Sequence, residues 1–283
     1  MSNAMNDNVV QRTGPGGTNW MRRSGEIEGM ECIEAFFQGN AYAWHRHDTY
    51  AIGCTLAGVQ SFNYRGGKRN SLPGHAIVLH PDEPHDGQAG TNEGFRYRMI
   101  YVEPVLIQSV LGGQALPFID GGVTANPRLL HATGALLQRT PARLDPIELN
   151  DALVELALAL DAASGAPQKR ISADYASALR ARDYLQSSWQ RAVTIDELAA
   201  AAGRDRWSLS RDFRVFYGTS PHRYLTMRRL DAARRLMMQG LALADVAAAA
   251  GFSDQSHMTR HFKKTFGLTP SRWVQLAGGA PAN

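Results

Sequence analysis

The chain has 283 residues, enough for two domains, and its 44% hydrophobic content allows a sizeable core and argues against disorder. No apolar run approaches the ~20 residues that span a bilayer, and no signal-peptide pattern opens the chain. The two cysteines, Cys32 and Cys54, fit a reducing compartment. We therefore predict a cytoplasmic protein that neither enters a membrane nor depends on disulfides. The net charge of +4 combines −5 over residues 1–168 with +9 over residues 169–283, which suggests that the second half meets a polyanion, although ordinary surface charge is the alternative.

The first half of the chain has the pattern of a loose arm followed by β-strands. Residues 5–30 are rich in glycine and polar groups and are predicted to form a flexible arm. Within residues 31–104, strands are predicted at 50–56, 59–64, 76–80 and 95–102, a hairpin turn at 65–68, and loops at 71–74 and 80–87. Many short strands at this spacing predict a small antiparallel barrel or sandwich.

Helical patterns begin after residue 104. Residues 127–139 and 146–163 each open with proline directly after a capping residue, Asn126 and Asp145. Leucines at 149, 153, 156 and 160 make one apolar stripe. Packing within the chain is the favoured role of the 105–163 region, and dimerisation is the alternative. Residues 164–170 are predicted to be an interdomain linker, and residues 171–277 are predicted to be helical.

An internal duplication organises this last region. A shift of 49 places Arg211, Phe213 and Gly218 on Arg260, Phe262 and Gly267. A shift of 48 places residues 198–203 on residues 246–251. Each copy predicts a short alanine-rich helix, a turn at glycine and a second helix, which is a helix-turn-helix.

The second helix of each copy has a polar face suited to the major groove of DNA. Leu209, Phe213, Phe216, Met258 and Phe262 form the apolar faces. The opposite faces, predicted to contact DNA, carry Trp207, Ser210, Arg211 and Arg214 in the first copy and Gln255, Ser256, His257, Arg260, Lys263 and Lys264 in the second. Gln pairs with adenine and Arg with guanine, whereas lysines reach phosphates. A solvated surface is the alternative for any single side chain, but two copies in a basic region favour recognition.

A connector lies between the two copies. Residues 221–239 begin with Pro221, precede Gly240 and carry an apolar stripe that includes Tyr224, Met227 and Leu230. At ~1.5 Å per residue this predicts a helix about 28 Å long, close to the ~34 Å of one DNA turn. Such a connector would hold two reading helices in successive major grooves.

Residues 171–277 resemble the DNA-binding domain of AraC/XylS-type transcription regulators. The resemblance rests on the paired helix-turn-helices, the long central helix and the segment GFSDQSHMTRHFKKTFGLTPSRW at 251–273, which is close to the family signature. It implies base contacts from Trp207, Ser210 and Arg211 in the first copy and from Gln255, Ser256 and Arg260 in the second, with His257 beside them. Family members often carry Gln or Arg at the positions of Ser210 and Ser256, so the operator sequence does not follow.

The first half is similar to the cupin-type sensor domain of many of these regulators. The matching residues are His45-Arg46-His47, Tyr50, Gly58, the Pro73-Gly74 turn and Pro84-His85. Together the resemblances predict a two-domain α+β fold. It comprises an N-terminal cupin-like β-barrel with flanking helices and a C-terminal all-α domain with two helix-turn-helix motifs joined by a long helix.

Histidines are the notable residues of this sensor. His45 and His47 alternate along a predicted strand and His85 would join them across the barrel, a set that suits Zn or Fe(II). Metal-binding cupins usually add a carboxylate a few residues after the pair, where this chain has Ala51 and Ile52. The sequence therefore favours histidines that hydrogen-bond or line a pocket, and assigns no metal or other cofactor. The predicted effector contacts are His45, His47, Phe62, Tyr64, His80, His85, Tyr97 and Met99.

These features predict a sequence-specific transcription regulator, not an enzyme, whose binding to promoter DNA is controlled by a small-molecule effector. A homodimer is expected, and RNA polymerase is a further expected partner of an activator. The alternative is a metal-dependent cupin enzyme with a helical appendage that uses His45, His47 and His85 as ligands. A third hypothesis is a DNA-binding adaptor whose barrel serves only for dimerisation.

Overall fold

The computed structural model describes residues 19–27, 29–138, 144–165 and 173–278. Within the described residues, the first part of the chain contains ten strands. In chain order these are β1 (Trp20–Ile27), β2 (Met30–Phe37), β3 (Asn40–His45), β4 (Tyr50–Gly58), β5 (Gln60–Tyr64), β6 (Gly67–Ser71), β7 (Ala76–Leu79), β8 (His85–Ala89), β9 (Phe95–Val102) and β10 (Val123–Thr124). Six strands form one sheet in the order β1-β2-β9-β4-β7-β10, and four form a second in the order β3-β8-β5-β6.

The two sheets form an open sandwich and not the closed barrel that the sequence predicts. Phe62 and Tyr64 of the smaller sheet belong to one buried cluster with Phe37, Phe95 and Tyr97 of the larger sheet. Among the described residues no strand pairs across from one sheet to the other, so the edges stay open. The predicted two-domain class is nevertheless confirmed, because a β-rich first part is followed by a helical second part.

Strand β9 shows why the larger sheet lies at the centre of the first domain. Its Phe95, Tyr97 and Met99 face the smaller sheet, whereas Ile100 and Val102 belong to a second core on the other side. Side chains alternate between the two faces of a strand, so β9 is buried on both sides. This explains why the second half of β9, Met99 to Val102, is apolar at every position.

Strands β1 and β8 lie in segments that the sequence predicts to be an arm and a loop. β1 occupies residues 20–27 of the predicted arm and pairs with the whole of β2, from Trp20↔Phe36 to Ile27↔Met30. β8 occupies the end of the predicted 80–87 loop and pairs with β3 and β5. Both segments are polar, so their extended form depends on backbone pairing with neighbours and not on a hydrophobic pattern. The predicted hairpin at 65–68 is confirmed by the β5–β6 register, which ends at Tyr64↔Gly67.

Three helices cover the outer face of the larger sheet: α1 (Pro104–Leu111), α2 (Pro127–Gln138) and α3 (Pro146–Ser164). Asp145 begins α3 with a capping box, accepting from the Glu148 N–H while the Glu148 side chain accepts from the Asp145 N–H. Leu156 and Leu160 of the predicted leucine stripe are fully buried in the core that α3 shares with α1, α2 and the outer face of the sheet, which confirms the packing role. Most of the predicted 164–170 linker lies outside the described residues.

In the described residues from 173 onward, the structure contains seven helices. They are α4 (Tyr175–Ser188), α5 (Ile195–Ala202), α6 (Arg206–Tyr217), α7 (Pro221–Met238), α8 (Leu243–Ala249), α9 (Gln255–Phe266) and α10 (Pro270–Leu276). Among the helices of the described ranges, none is both long and apolar enough to cross a membrane.

The duplication extends to the ends of the helices. Asp205 and Asp254, 49 residues apart, are the N-caps of α6 and α9 and accept backbone hydrogen bonds there. The C-caps Gly218 and Gly267 are both left-handed, with φ of 67°. The two helix-turn-helices predicted from the sequence are therefore present, as α5–α6 and α8–α9.

Helix α7 joins the two motifs by packing on both. Tyr224 and Leu225, near its start, belong to the core of the first motif, together with Phe213. Leu230 and Met237, further along, belong to a core with α9 and α10. At 18 residues it is about 27 Å long, close to the predicted length.

One histidine of the sandwich core is held neutral. His80 follows β7 and is 3% exposed. Its Nε2 accepts from the Ile119 N–H at 2.9 Å, so the ring proton is on Nδ1, 2.5 Å from the Tyr64 hydroxyl oxygen. Burial lowers the pKa of His80 to about 3.

We predict that this histidine makes folding stability pH-dependent. The unfolded chain binds a proton at His80 below about pH 6.5, whereas the folded chain resists it down to about pH 3, so stability is complete above pH 6.5 and declines as the pH falls. In His80→Gln, the free energy of unfolding measured in urea should decrease less with falling pH than in the wild type. The difference between the two slopes should be about 1.4 kcal/mol per pH unit. His131→Gln, at an exposed histidine of α2, should keep the wild-type slope.

Candidate nucleic-acid interface and interdomain cavity

The outer face of α6 carries the predicted DNA contacts of the first motif. Trp207 is 73% exposed, and Arg211 and Arg214 are exposed beside it. Arg211 donates to the Ser208 hydroxyl at 3.2 Å, and Arg214 donates to the Ser210 carbonyl at 3.0 Å. These local bonds hold both guanidinium groups along the helix, where they border a shallow groove with Trp207.

Helix α9 has the same division of faces. Met258 and Phe262 are fully buried. The predicted DNA contacts Gln255, Ser256, Arg260, Lys263 and Lys264 are all exposed. Two reading helices of one chain thus present cationic and amide donors to solvent.

His257 differs from its neighbours because its groups are already engaged. Its N–H donates to the Asp254 N-cap at 2.7 Å. Its Nδ1 lies 3.0 Å from the Ser253 hydroxyl and its Nε2 lies 2.9 Å from Nε2 of His261. Burial and then the neighbouring His257 lower the pKa of His261 to about 4. A base contact by the His257 ring would have to replace one of these bonds.

The C-terminal ends of both reading helices dock on the sandwich. A Cβ on Gly218 would lie 2.6 Å from Cβ of Pro81, and one on Gly267 would lie 2.8 Å from the Ala43 carbonyl oxygen. The N–H groups of Ala43 and Arg46 donate to the carbonyls of Gly267 and Lys264 at 3.3 and 3.2 Å. Residues at the end of β3 therefore satisfy backbone acceptors that the last turn of α9 leaves free.

Helix α7 binds the sandwich through three arginines. Arg223 pairs with Asp82 at 2.5 Å. Arg228 is 8% exposed and pairs with Asp48 at 3.2 Å, with Asp231 at 3.1 Å and with Glu103. Arg234 pairs with Glu31 at 2.6 Å and lies over the rings of Phe266 and Trp273. The sequence showed these arginines, but apart from Asp231 the carboxylates that they reach are far away along the chain.

An interdomain cavity of about 510 Å³ lies between the sandwich and these helices. Its lining includes Met30, Glu31, Tyr42, His45, His47, Asp48, Tyr101 and Glu103 from the sandwich and Met227, Arg228, Asp231, Arg234, Arg235, Thr265, Phe266 and Trp273 from the helices. A volume of this size accommodates a small organic ligand. Aromatic rings supply its apolar walls and ionised groups supply its polar wall.

The structure places the predicted effector contacts in two different environments. His45 and His47 line the interdomain cavity. Phe62, Tyr64, Tyr97 and Met99 are buried in the core between the sheets, and His80 has the core hydrogen bonds described above. These five side chains are part of the packed core. The sequence pattern identified them as buried, but periodicity does not distinguish a core from a ligand pocket. Tyr97 still reaches the cavity indirectly, through a 2.7 Å hydrogen bond with the Tyr42 hydroxyl.

Residues that the sequence reasoning missed make up most of the cavity wall. Tyr42 and Tyr101 come from strands of the sandwich, and Trp273 comes from α10. No local motif marks them as cavity residues, because they meet only when the two domains dock.

His45, His47 and His85 come together at one edge of the cavity. β3 ends at His45, which is paired with His85 of β8, and His47 lies just beyond the strand. The expectation that His45 and His47 lie on one strand is therefore wrong in its geometry, but their rings still converge. One nitrogen of each ring lies within 4.8 Å of the other two. Burial lowers the pKa of His47 to about 3 and that of His85 to about 4, so both rings are neutral at pH 7.

Comparison with known families agrees with this two-part architecture. The family described as AraC-like ligand binding domain matches residues 29–157. A family described as helix-turn-helix domain matches residues 198–275.

Similar proteins span most of the chain. The HTH-type transcriptional regulator YbfI of Bacillus subtilis is 27% identical over 243 residues, which cover 80% of this chain and 86% of that protein. The transcriptional activator RhaS of Yersinia pseudotuberculosis is 27% identical over 253 residues, covering 84% and 91%. The crystal structure of ToxT from Vibrio cholerae is 12% identical, covers 90% of this chain and 100% of its own, and has a TM-score of 0.63, so it shares the fold.

The fold, the paired motifs and these matches define a DNA-binding transcription regulator with a ligand-binding domain. The chain belongs to the AraC family of transcriptional regulators. Its matched families and these relatives are regulators, which supports the prediction that it is not an enzyme and gives no support to the enzyme alternative.

The docking of α9 can be tested at its C-cap. We predict that Gly267→Ala destabilises the protein by about 1 kcal/mol for the left-handed backbone and further because β3 must move away. Gly240→Ala is the matched control, since Gly240 also has a positive φ, 86°, and nothing lies within 4 Å of its added Cβ. Urea unfolding compares the two variants. Equal losses would show that the approach of β3 to α9 contributes nothing to stability.

Proposed function

We propose that α6 and α9 bind successive major grooves of promoter DNA and that an effector in the interdomain cavity controls this binding. The observation that carries the proposal is the position of the cavity, whose walls come from both domains, including the connector α7 and the end of α9. A ligand there contacts both domains at once. It therefore favours whichever arrangement of the two domains binds it better, and that difference in affinity is what regulation requires.

The DNA-binding part of the proposal is supported by the exposed reading faces. Arg211 and Arg260 occupy equivalent places in the duplicated helices and are both exposed. Arginine bonds to guanine through two donors, and Gln255 offers the corresponding pair to adenine. Lys263 and Lys264 at the end of α9 supply phosphate contacts, which add affinity at any sequence.

The cavity chemistry favours an effector with an apolar body and an anionic group. Tyr101, Phe266 and Trp273 provide apolar surface. Arg228 and Arg234 are already paired with carboxylates, but Arg235 at the cavity wall has no ion-pair partner among the described residues. We therefore propose that Arg235 binds the anionic group. Arg96 and Arg98, on β9 of the larger sheet, both pair with Glu34.

Assembly and location complete the proposal. Ile147 and Leu158 of α3 are 76% and 39% exposed, and we propose that this helix forms a homodimer seam. A regulator of this class is expected to work in the cytoplasm. An activator would also contact RNA polymerase.

We predict that Arg211→Ala and Arg260→Ala each weaken sequence-specific DNA binding by about 1–3 kcal/mol and relax specificity at one base pair. Lys263→Ala should weaken binding at all sequences and reduce the slope of log K against log salt by about 1. Fluorescence anisotropy with DNA flanking the protein's own gene, at several salt concentrations, measures both effects. Arg128→Ala, at an exposed arginine of α2, is the control and should bind as wild type.

Two results would count against this interface. One is an absence of salt-sensitive, sequence-selective binding by the wild-type protein. The other is a loss in Arg128→Ala that equals the losses in Arg211→Ala and Arg260→Ala.

The effector proposal predicts that some organic acids raise the melting temperature of the protein. A ligand at 100 times its Kd stabilises by about 2.7 kcal/mol. In a thermal-shift screen of carboxylate metabolites, the shift should be lost in Arg235→Ala and kept in Arg128→Ala. Hits that stabilise Arg235→Ala equally would place the anion elsewhere, and a screen without hits would favour the adaptor hypothesis.

A further inference from the structure

The three histidines at the edge of the cavity share a specific orientation. Nδ1 of His45 lies 2.8 Å from the Ala43 carbonyl, that of His47 lies 2.8 Å from the Thr49 carbonyl, and that of His85 lies 2.9 Å from the Glu83 carbonyl. A carbonyl only accepts, so each Nδ1 carries the proton and donates. Each Nε2 is thereby left with its lone pair, and the main chain sets the tautomer of all three rings.

The rings are also close together and shielded from water. The centroid of the His85 ring lies 4.2 Å from that of His45 and 4.9 Å from that of His47. His47 and His85 are buried, and His45 is half-buried. Nε2 of His47 is buried without a hydrogen-bond partner among the described residues. A buried acceptor with no partner is costly, and a bound metal ion would satisfy this one.

We propose that His45, His47 and His85 form a binding site for one divalent metal ion, with Zn²⁺ as the expected ion. Metal-bound histidines usually donate their second ring nitrogen to a carbonyl or carboxylate, as all three do here. A set of three imidazoles suits Zn, Cu, Fe and Ni, whereas Mg, Ca and Mn prefer oxygen ligands. Zn²⁺ imposes no geometry of its own and accepts three histidines with a fourth position open.

The fourth position of such an ion is reached from the interdomain cavity, because His45 and His47 line it. The site also adjoins the second reading helix. The Nδ1 atom of His45 would lie 3.0 Å from a Cβ on Gly267, the C-cap of α9. Ala43, two residues before His45 in β3, and Arg46, directly after His45, donate their backbone N–H groups to the carbonyls of Gly267 and Lys264. Metal binding therefore fixes the segment that holds α9, a consequence that rests on the proposed function.

The site is tested on the full-length protein with Co²⁺ and Zn²⁺. After treatment with EDTA, Co²⁺ should bind with one equivalent per chain and produce the visible absorption of a low-coordinate ion, which Zn²⁺ then displaces. His47→Ala and His45→Gln should each weaken Co²⁺ binding by more than about 100-fold, since loss of an outer-sphere partner alone costs 10–100-fold. Thermal unfolding in EDTA shows whether each variant is folded, and His45→Gln is the milder change because His45 is the least buried ligand.

The control concerns the other histidine pair. His257 and His261, whose Nε2 atoms lie 2.9 Å apart on α9, offer a second place for a metal ion. The double variant His257→Gln/His261→Gln should keep the Co²⁺ spectrum and stoichiometry. Loss of the spectrum in that variant, or its persistence in folded His47→Ala and His45→Gln, would overturn the proposed site.

The regulatory consequence has its own readout. DNA affinity in Zn²⁺ should differ from that in EDTA by about 5-fold or more, the lower end of typical couplings between sites, and His47→Ala should show no difference. Equal affinities in a protein that binds Zn²⁺ would overturn the coupling. A wild-type protein that binds DNA selectively but binds no Co²⁺ or Zn²⁺ would overturn this inference and leave the proposed function standing.

Discussion

The buried ion network around Arg228 is the interaction on which the arrangement of the two domains depends. Its guanidinium is 8% exposed and lies between Asp48, Glu103 and Asp231. Burial raises the pKa of Asp48 to about 7, against the opposing effect of the Arg228 charge. Charges are costly to remove from water, and partners left alone in the interior cost about 3–5 kcal/mol. The network is therefore satisfied only when α7 and the sandwich keep one alignment. It selects this arrangement of the two domains over others more than it adds to the free energy of unfolding.

Helix α7 transmits this alignment to both reading helices. One end of it lies in the core of the first motif and the other in the core of the second, so a shift of α7 moves both. The C-caps of α6 and α9 contact the sandwich directly at Gly218 and Gly267. The same glycines that end the helices by adopting a left-handed conformation also permit the close approach. The cavity lies among these contacts, so a bound effector would contact both the connector α7 and the end of α9.

The helical half of the protein was predictable in detail because its signals are local. Capping residues, prolines at first turns and glycines at helix ends act within a few residues, and the duplication repeated most of them 48 or 49 positions later, with Ala242 in place of the Thr194 cap as an exception. The division of each reading helix into a buried and an exposed face also followed from helical periodicity. The sandwich was less predictable: β1 and β8 are extended because neighbouring strands pair with them, and pairing partners are distant in sequence.

The sequence by itself determined the family, the paired motifs and the residues that face solvent on α6 and α9, since these depend on chemistry encoded within single helices. Only the tertiary structure decided which residues form a cavity. It moved Phe62, Tyr64, His80, Tyr97 and Met99 into the core. It brought Tyr101 and Trp273 together from positions 172 residues apart. It also brought one ring nitrogen of each of three histidines within 4.8 Å of the other two, because strand register and main-chain carbonyls, which no local pattern specifies, set the position and tautomer of each ring.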